Sequence, residues 1–196
     1  MLMLIPKDIL KAVRITLVFG LIGGVIYPLA ITGISQLLFH DQANGSLIVQ
    51  NGQVVGSSLI GQNFSAEKYF QGRPSATATP YDASNSTGSN LGPTNPVLIN
   101  RVASSARAFR QANGLDAHAQ VPVDIVTTDF SGFDPDITEA AALLQVHRVA
   151  QARSLSDSRV HDLVEKYLHG RVLWIFGEPY INVLELNLAL DRGEAG

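Results

Sequence analysis

ITLVFGLIGGVIYPLAITGISQLLF, residues 15–39, runs for twenty-five positions without Asp, Glu, Lys, Arg or His. As an α-helix rising ~1.5 Å per residue it reaches roughly 37 Å, more than the ~30 Å hydrocarbon core of a bilayer. A secretory signal's apolar region is usually about 7 to 15 residues and ends at a small-residue cleavage site, and a core helix is seldom apolar on every face for this length. The stretch therefore predicts a retained transmembrane helix. Gly20, Gly23, Gly24 and Pro28 lie inside it. In lipid no solvent competes for the backbone, so the helix persists, and small residues give a surface that another helix can approach closely. Gly20 and Gly24 have the small-xxx-small spacing and are the expected contact with a partner helix.

Lys7, Lys11 and Arg14 precede the run against the single Asp8, and no basic residue follows it until Lys68. The positive-inside rule then predicts residues 1–14 as a cytoplasmic flank, 15–39 as the span, and 40–196 as one extracytoplasmic domain. That length supports one hydrophobic core and is short for two. Of the chain's 14 Lys plus Arg and 17 Asp plus Glu, 11 and 16 follow residue 40, a net charge of −5 there. A mildly acidic domain without a basic cluster excludes itself as a nucleic-acid binder. The chain has no Cys, which removes disulfides, thiolate ligands and a thiol nucleophile.

Along the domain, Asn51-Gly52 between residues 46–50 and 53–57 predicts a β-hairpin, because both central residues of its tight turn need positive φ. QGRPSATATPYDASNSTGSNLGPTNP, residues 71–96, is rich in Pro, Gly, Ser, Thr and Asn, but Tyr81, Leu91 and Arg73 give it anchors that a pure spacer lacks. It reads as a long ordered surface loop that contacts a partner, with Arg73 and Asn90 as contact residues. Residues 97–112 predict an amphipathic helix stopped at Asn113-Gly114. Residues 121–126 read as a short β-type run, 139–154 as a helix, and 156–168 as a second helix opened by Ser156. Residues 172–176 read as a strand. Leu184, Leu186, Leu188 and Leu190 alternate with Glu185, Asn187 and Ala189, a period of two that predicts a final strand. The order of elements predicts an α+β domain.

Neither phosphate-cradling glycine motif is present, nor is a G-x-S-x-G nucleophile elbow. Asp129, Asp134, Asp136 and Glu139 form the densest acidic group. A calcium loop of the EF-hand type needs Gly where Glu139 stands, so the group reads as a helix start, with Pro135 and Asp136 or Thr138 near the first turn. No metal site is expected. The five histidines lack ligand spacing and read as surface or packing residues. Gln145, Arg148 and Arg153 could form a polar stripe for an anion, though the wet face of a helix is their ordinary place. No catalytic set converges. An accessory subunit is favoured over an independent membrane-anchored extracytoplasmic enzyme or solute-binding domain.

Several stretches together resemble the KdpC family, the small subunit of the bacterial high-affinity potassium-transporting Kdp ATPase. They are YFQGRPSA (69–76), SNLGPTNP (89–96), PVD (122–124), Ser131-Gly132 with Asp134-Pro135, Gln145 with RVA (148–150) and Ala152-Arg153, and GEP (177–179) with NVLELN (182–187). They cover nearly the whole domain in the family's order, behind the single span. Asp136, where His is common, and Asp129-Phe130, in place of small residues, depart from the pattern. The resemblance implies a non-catalytic accessory subunit of an ATP-driven potassium importer in the inner membrane. Its implied partners are a channel-like potassium-translocating subunit, a P-type ATPase subunit and a small single-span subunit. It also implies a catalytic-chaperone role that raises the pump subunit's ATP affinity, with Gln145 and Arg148 as nucleotide-linked residues. The sidedness read above conflicts with direct ATP contact, so ATP is expected to act in the complex, with no cofactor bound by this chain.

Overall fold

A computed structural model describes residues 7–195 of the chain, which divides into two units, 1–47 and 48–196. The first six residues of the expected cytoplasmic flank lie outside the described residues. The first unit is a helical run, Lys7–Leu38, of 32 residues, whose most apolar 18-residue window has a mean hydropathy of 2.1 and is not buried, long and apolar enough to cross a membrane. Within it α1 (Lys7–Leu21) and α2 (Tyr27–Leu38) are joined by a π-helical segment, Ile22–Ile26. Pro28 explains the widening. Its ring clashes with the carbonyl four residues back and it has no N–H to give, and the preceding turn relaxes so that Tyr27 N–H bonds Ile22 O, five residues away. A short α3 (His40–Ala43) follows.

The second unit is an α+β domain. Its hairpin, β1 (Leu47–Gln50) and β2 (Gln53–Ser57), turns on Asn51 at φ 50° and Gly52 at φ 77°, as the dipeptide predicts. The long loop leads to α4 (Pro96–Ala112), capped by the Asn95 side chain on Val97 N–H and closed near Gly114 at φ 63°. A small antiparallel sheet has β5 (Tyr180–Asn182) between β3 (Asp136–Ile137) and β4 (Leu168–His169), with Ile137 and Leu168 both opposite Ile181. Against it pack α6 (Glu139–Leu143), α7 (Val146–Arg153), α8 (Asp157–Lys166) and α9 (Val183–Asp191), around Phe70, Ile137, Val149, Val160, Val164, Ile181 and Leu186. Thr138 caps α6 and Ser156 caps α8.

Four expectations are corrected. Residues 121–126 are not a strand: Val123–Val126 form the single turn α5, with Pro122 ahead of it and Ile125 and Val126 buried. The expected helix 139–154 is broken at Gln145. Its N–H bonds Ala142 O, three residues back, while its own side chain takes the Ala141 carbonyl at 3.2 Å. Residues 172–176 form a tight turn between bridged Val172 and Phe176, since strand propensity without a neighbouring strand has nothing to pair with. Residues 183–191 are helix α9. Asn182 accepts from Glu185 N–H at 3.1 Å, a cap, and Val183, Leu184, Leu186, Asn187, Ala189 and Leu190 are buried nearly all round. The alternation of leucines is a by-product of that all-round burial.

Candidate functional site

Residues 67–69 turn, with Tyr69 N–H on Ala66 O at 3.1 Å, and residues 70–71 run on from them; no strand pairs with this segment. Side chains do. Arg148 donates through Nη1 to Glu67 O and, at 3.0 Å, to Tyr69 O; Arg153 Nε donates to Lys68 O at 2.7 Å. Asn187 brackets Phe70, accepting from its N–H at 2.8 Å and donating to its carbonyl at 2.9 Å. Gln145 does the same to Gln71, at 2.8 and 3.1 Å. Every carbonyl from 67 to 71 is thus bound by a side chain from α7, α9 or the joint before α7, and Phe70 is driven to zero exposure in the core.

Gln145, Arg148 and Arg153 are therefore not a wet stripe. Gln145 is fully buried and saturated: its two N–H groups serve Gln71 O and Ala141 O, and its oxygen accepts from Gln71 N–H and, at 2.7 Å, Arg148 Nη2. Arg148 also gives Nε to Asn113 Oδ1 at 2.8 Å, tying α4's end to the same knot. Burial lowers Arg148 from its ordinary pKa, with Glu67 opposing; a guanidinium remains charged throughout, and bonded carbonyls and amides compensate it. Arg153 Nη2 reaches Asp191 at 2.7 Å, and Tyr69 OH donates to the same carboxylate at 2.8 Å. Burial would raise Asp191, but those two bonds outweigh it and hold it below the usual carboxylate range.

The clamp aims the chain at Gly72-Arg73. Arg73 Nη1 bonds Asp134 Oδ2 at 2.8 Å, while its buried Nε has no hydrogen-bond partner among the described residues. Tyr81 closes over it, donating its hydroxyl to Arg73 O at 2.7 Å. Glycine is required on both sides of that ring: a Cβ at Gly61 would lie 2.6 Å from Tyr81 Cε1, and one at Gly72 2.5 Å from its hydroxyl oxygen. Burial pushes the Tyr81 hydroxyl well above its ordinary pKa, helped by Asp129 and Asp134 and opposed by Arg73. Arg73 lines three concavities. One is an apolar groove of about 850 Å³ with Val121, Pro122, Val123, Leu143 and Leu144; one of about 230 Å³ includes Tyr81; a third of about 460 Å³ includes Asn90, Leu91 and Phe130. The two loop residues expected to contact a partner, Arg73 and Asn90, thus share one cleft, with Asn90 at φ 51°.

The acidic group is spread over this region. Burial would raise Asp129, but bonds from the Ser131 hydroxyl and from the Gly132 and Ser131 N–H groups hold it low. Asp134 accepts from Asp136 N–H at 3.0 Å. Asp136, on β3, is pushed up to about 6 by burial and then by Asp134, against His169 and Asn182. Gly20 lies in α1 and Gly24 in the π-helical segment, and a Cβ at either would meet nothing within 4 Å in this chain.

A family model described as KdpC, the K+-transporting ATPase c chain, matches residues 9–192. The chain belongs to the KdpC family. Curated proteins called potassium-transporting ATPase KdpC subunits are similar along almost their whole length. One from Mycobacterium tuberculosis is 52% identical over 186 residues, covering 95% of this chain and 98% of that protein. One from Rhodopseudomonas palustris is 50% identical over 200 residues, covering 96% and 99%. One from Paraburkholderia xenovorans is 51% identical over 180 residues, covering 91% and 93%. The geometry explains why the stretches that resemble KdpC are scattered in sequence. Residues 69–71, which open the first stretch, are held by Gln145, Arg148 and Asn187, Arg153 holds Lys68 just ahead of it, and Asn182 caps the helix that carries Asn187. Sequence reading found those residues and missed their joint task, because the signal, buried polar side chains facing an unpaired segment, exists only in three dimensions.

Proposed function

We propose that this chain is the accessory, non-catalytic subunit of an ATP-driven potassium import complex. It would be anchored in the bacterial inner membrane by residues 15–39, with its amino terminus in the cytoplasm and its domain on the outer face. Membership of the KdpC family across residues 9–192 is the single observation that carries the reading. The long apolar helix and its basic leading flank support the placement. Its partners are the potassium-translocating subunit, the P-type ATPase subunit and a small single-span subunit. The span meets a partner helix through Gly20 and Gly24, and the loop carrying Arg73 and Asn90 contacts the translocating subunit outside the membrane.

Any effect on the pump's ATP affinity is transmitted through the complex. Gln145 spends all its hydrogen bonds inside the chain, and Arg148 lies in the same buried knot, which supports positioning roles rather than nucleotide contacts. The test is affinity purification of the full chain in mild detergent from cells that make the whole complex. Recovery of both large partners in fixed proportion is expected; a monomer that binds a small solute alone would overturn the proposal.

A further inference from the structure

Val172, Leu173, Trp174, Ile175 and Phe176 are all exposed, Trp174 at 90%. Five consecutive apolar side chains in water are a liability that a free-standing domain avoids. The fold holds them outward at a cost: Leu173 and Trp174 sit in the left-handed region at φ 52° and 61°, which bulky residues rarely adopt. We propose that the 172–176 turn is a lipid-inserting tip, which enters the interfacial zone of the same bilayer that anchors the chain. This rests on the membrane-anchored reading above.

Three observations favour lipid as the occupant. First, the tip pairs four of its five N–H groups. Val172 N–H bonds Phe176 O and Phe176 N–H bonds Val172 O, each at 2.9 Å; Trp174 N–H bonds Arg171 O and Ile175 N–H bonds Val172 O, each at 3.2 Å. With four of five N–H groups already paired, little of the tip's backbone has to be stripped of water at the interface, and lipid favours a backbone in that state. Second, the residue at the apex is Trp, whose apolar rings and single N–H suit the boundary between acyl chains and headgroups. The charges stay at the base, where Arg171 and Glu178 pair at 2.7 Å. Third, only residues 39–47 separate α2 from the domain, roughly 30 Å of chain at full extension, so the domain is confined beside the bilayer surface. Confinement raises the effective concentration of tip and membrane for each other, and a modest insertion suffices.

Trp174 is the only tryptophan in the chain, so its fluorescence reports the tip alone. The full chain is reconstituted in phosphatidylethanolamine and phosphatidylglycerol vesicles, with and without bromine on the acyl chains. Blue-shifted emission, quenched by the brominated chains and shielded from aqueous acrylamide, is expected. Leu173→Asp, a residue that tolerates left-handed φ, should keep the turn and lose most of the lipid quenching. Water-like emission quenched by acrylamide alone overturns the inference, and so does drying of Trp174 only after the partner subunits are added, which assigns the tip to a protein groove. Vesicle flotation separates this from the anchoring itself: a chain that fails to float overturns both, whereas one that floats with a wet Trp174 overturns only the tip.

Discussion

Two regions of the domain invert the usual sorting of side chains, in opposite senses. Beneath residues 67–71, Gln145, Arg148 and Asn187 are polar and buried. At residues 172–176 apolar side chains stand in solvent. The first region is closed, since the polar groups of Gln145 and Asn187 and all three guanidinium nitrogens of Arg148 are hydrogen-bonded within this chain. The second is open, because most of its N–H groups are paired within the turn and its side chains stand exposed. The difference separates what holds the subunit together from what it offers to its surroundings. Substitutions in the closed region should read out as stability, and those in the open region as association.

The contrast breaks first at Arg148. Arg148→Ala leaves Glu67 O, Tyr69 O and Asn113 Oδ1 facing a void, with an expected loss of about 3–4 kcal/mol in denaturant unfolding of the detergent-solubilised chain. Lys at this position recovers little, because an ammonium cannot span the same acceptors. Gln145→Ala, which frees both polar groups of Gln71, should cost about 2 kcal/mol. If its role is positional, photocrosslinking with labelled ATP in the purified complex leaves this subunit unlabelled, in parent and variant alike; label lost from this subunit in the variant alone would contradict that.

Asp136 sharpens the comparison through pH. Its folded pKa of about 6 lies above the ordinary 3.8, so the folded state binds the proton more tightly and stability falls as pH rises from about 4 to about 6. After discounting for solvent screening the effect is about 1 kcal/mol. Asp136→Asn should flatten that slope and be the more stable form at neutral pH. Smallest of all, Trp174→Ser should leave unfolding within about 0.5 kcal/mol of the parent, since a side chain that is 90% exposed contributes little packing.

The long apolar helix, the Asn51-Gly52 hairpin, α4 and the cap at Ser156 were legible because each is written in local chemistry: an unbroken apolar run, an obligatory positive φ, a side-chain acceptor ahead of a helix; at the start of α6 the sequence left Asp136 and Thr138 open, and the cap is Thr138. Residues 172–176 and 183–191 were not, for one reason seen twice. A β-rich run becomes a strand only where another strand waits, and alternating leucines become a helix when all sides are covered. The Asn182 and Glu185 spacing, that of a capping box, was the signal in the sequence for α9. Of the candidate site, Arg73 and Asn90 were reached from the character of their loop, and the cleft they share needed the fold. The clamp on residues 67–71 was invisible, since its bonded partners lie up to 117 positions apart and meet only through tertiary packing.

Sidedness carries the rest of the account. The chain has no native Cys, so Glu178→Cys, at a side chain that is 78% exposed, gives a single label site. Treating intact cells with a membrane-impermeant maleimide, before and after lysis, measures its side directly. Full labelling before lysis is predicted; protection until the cells are broken would place the domain in the cytoplasm and contradict the account.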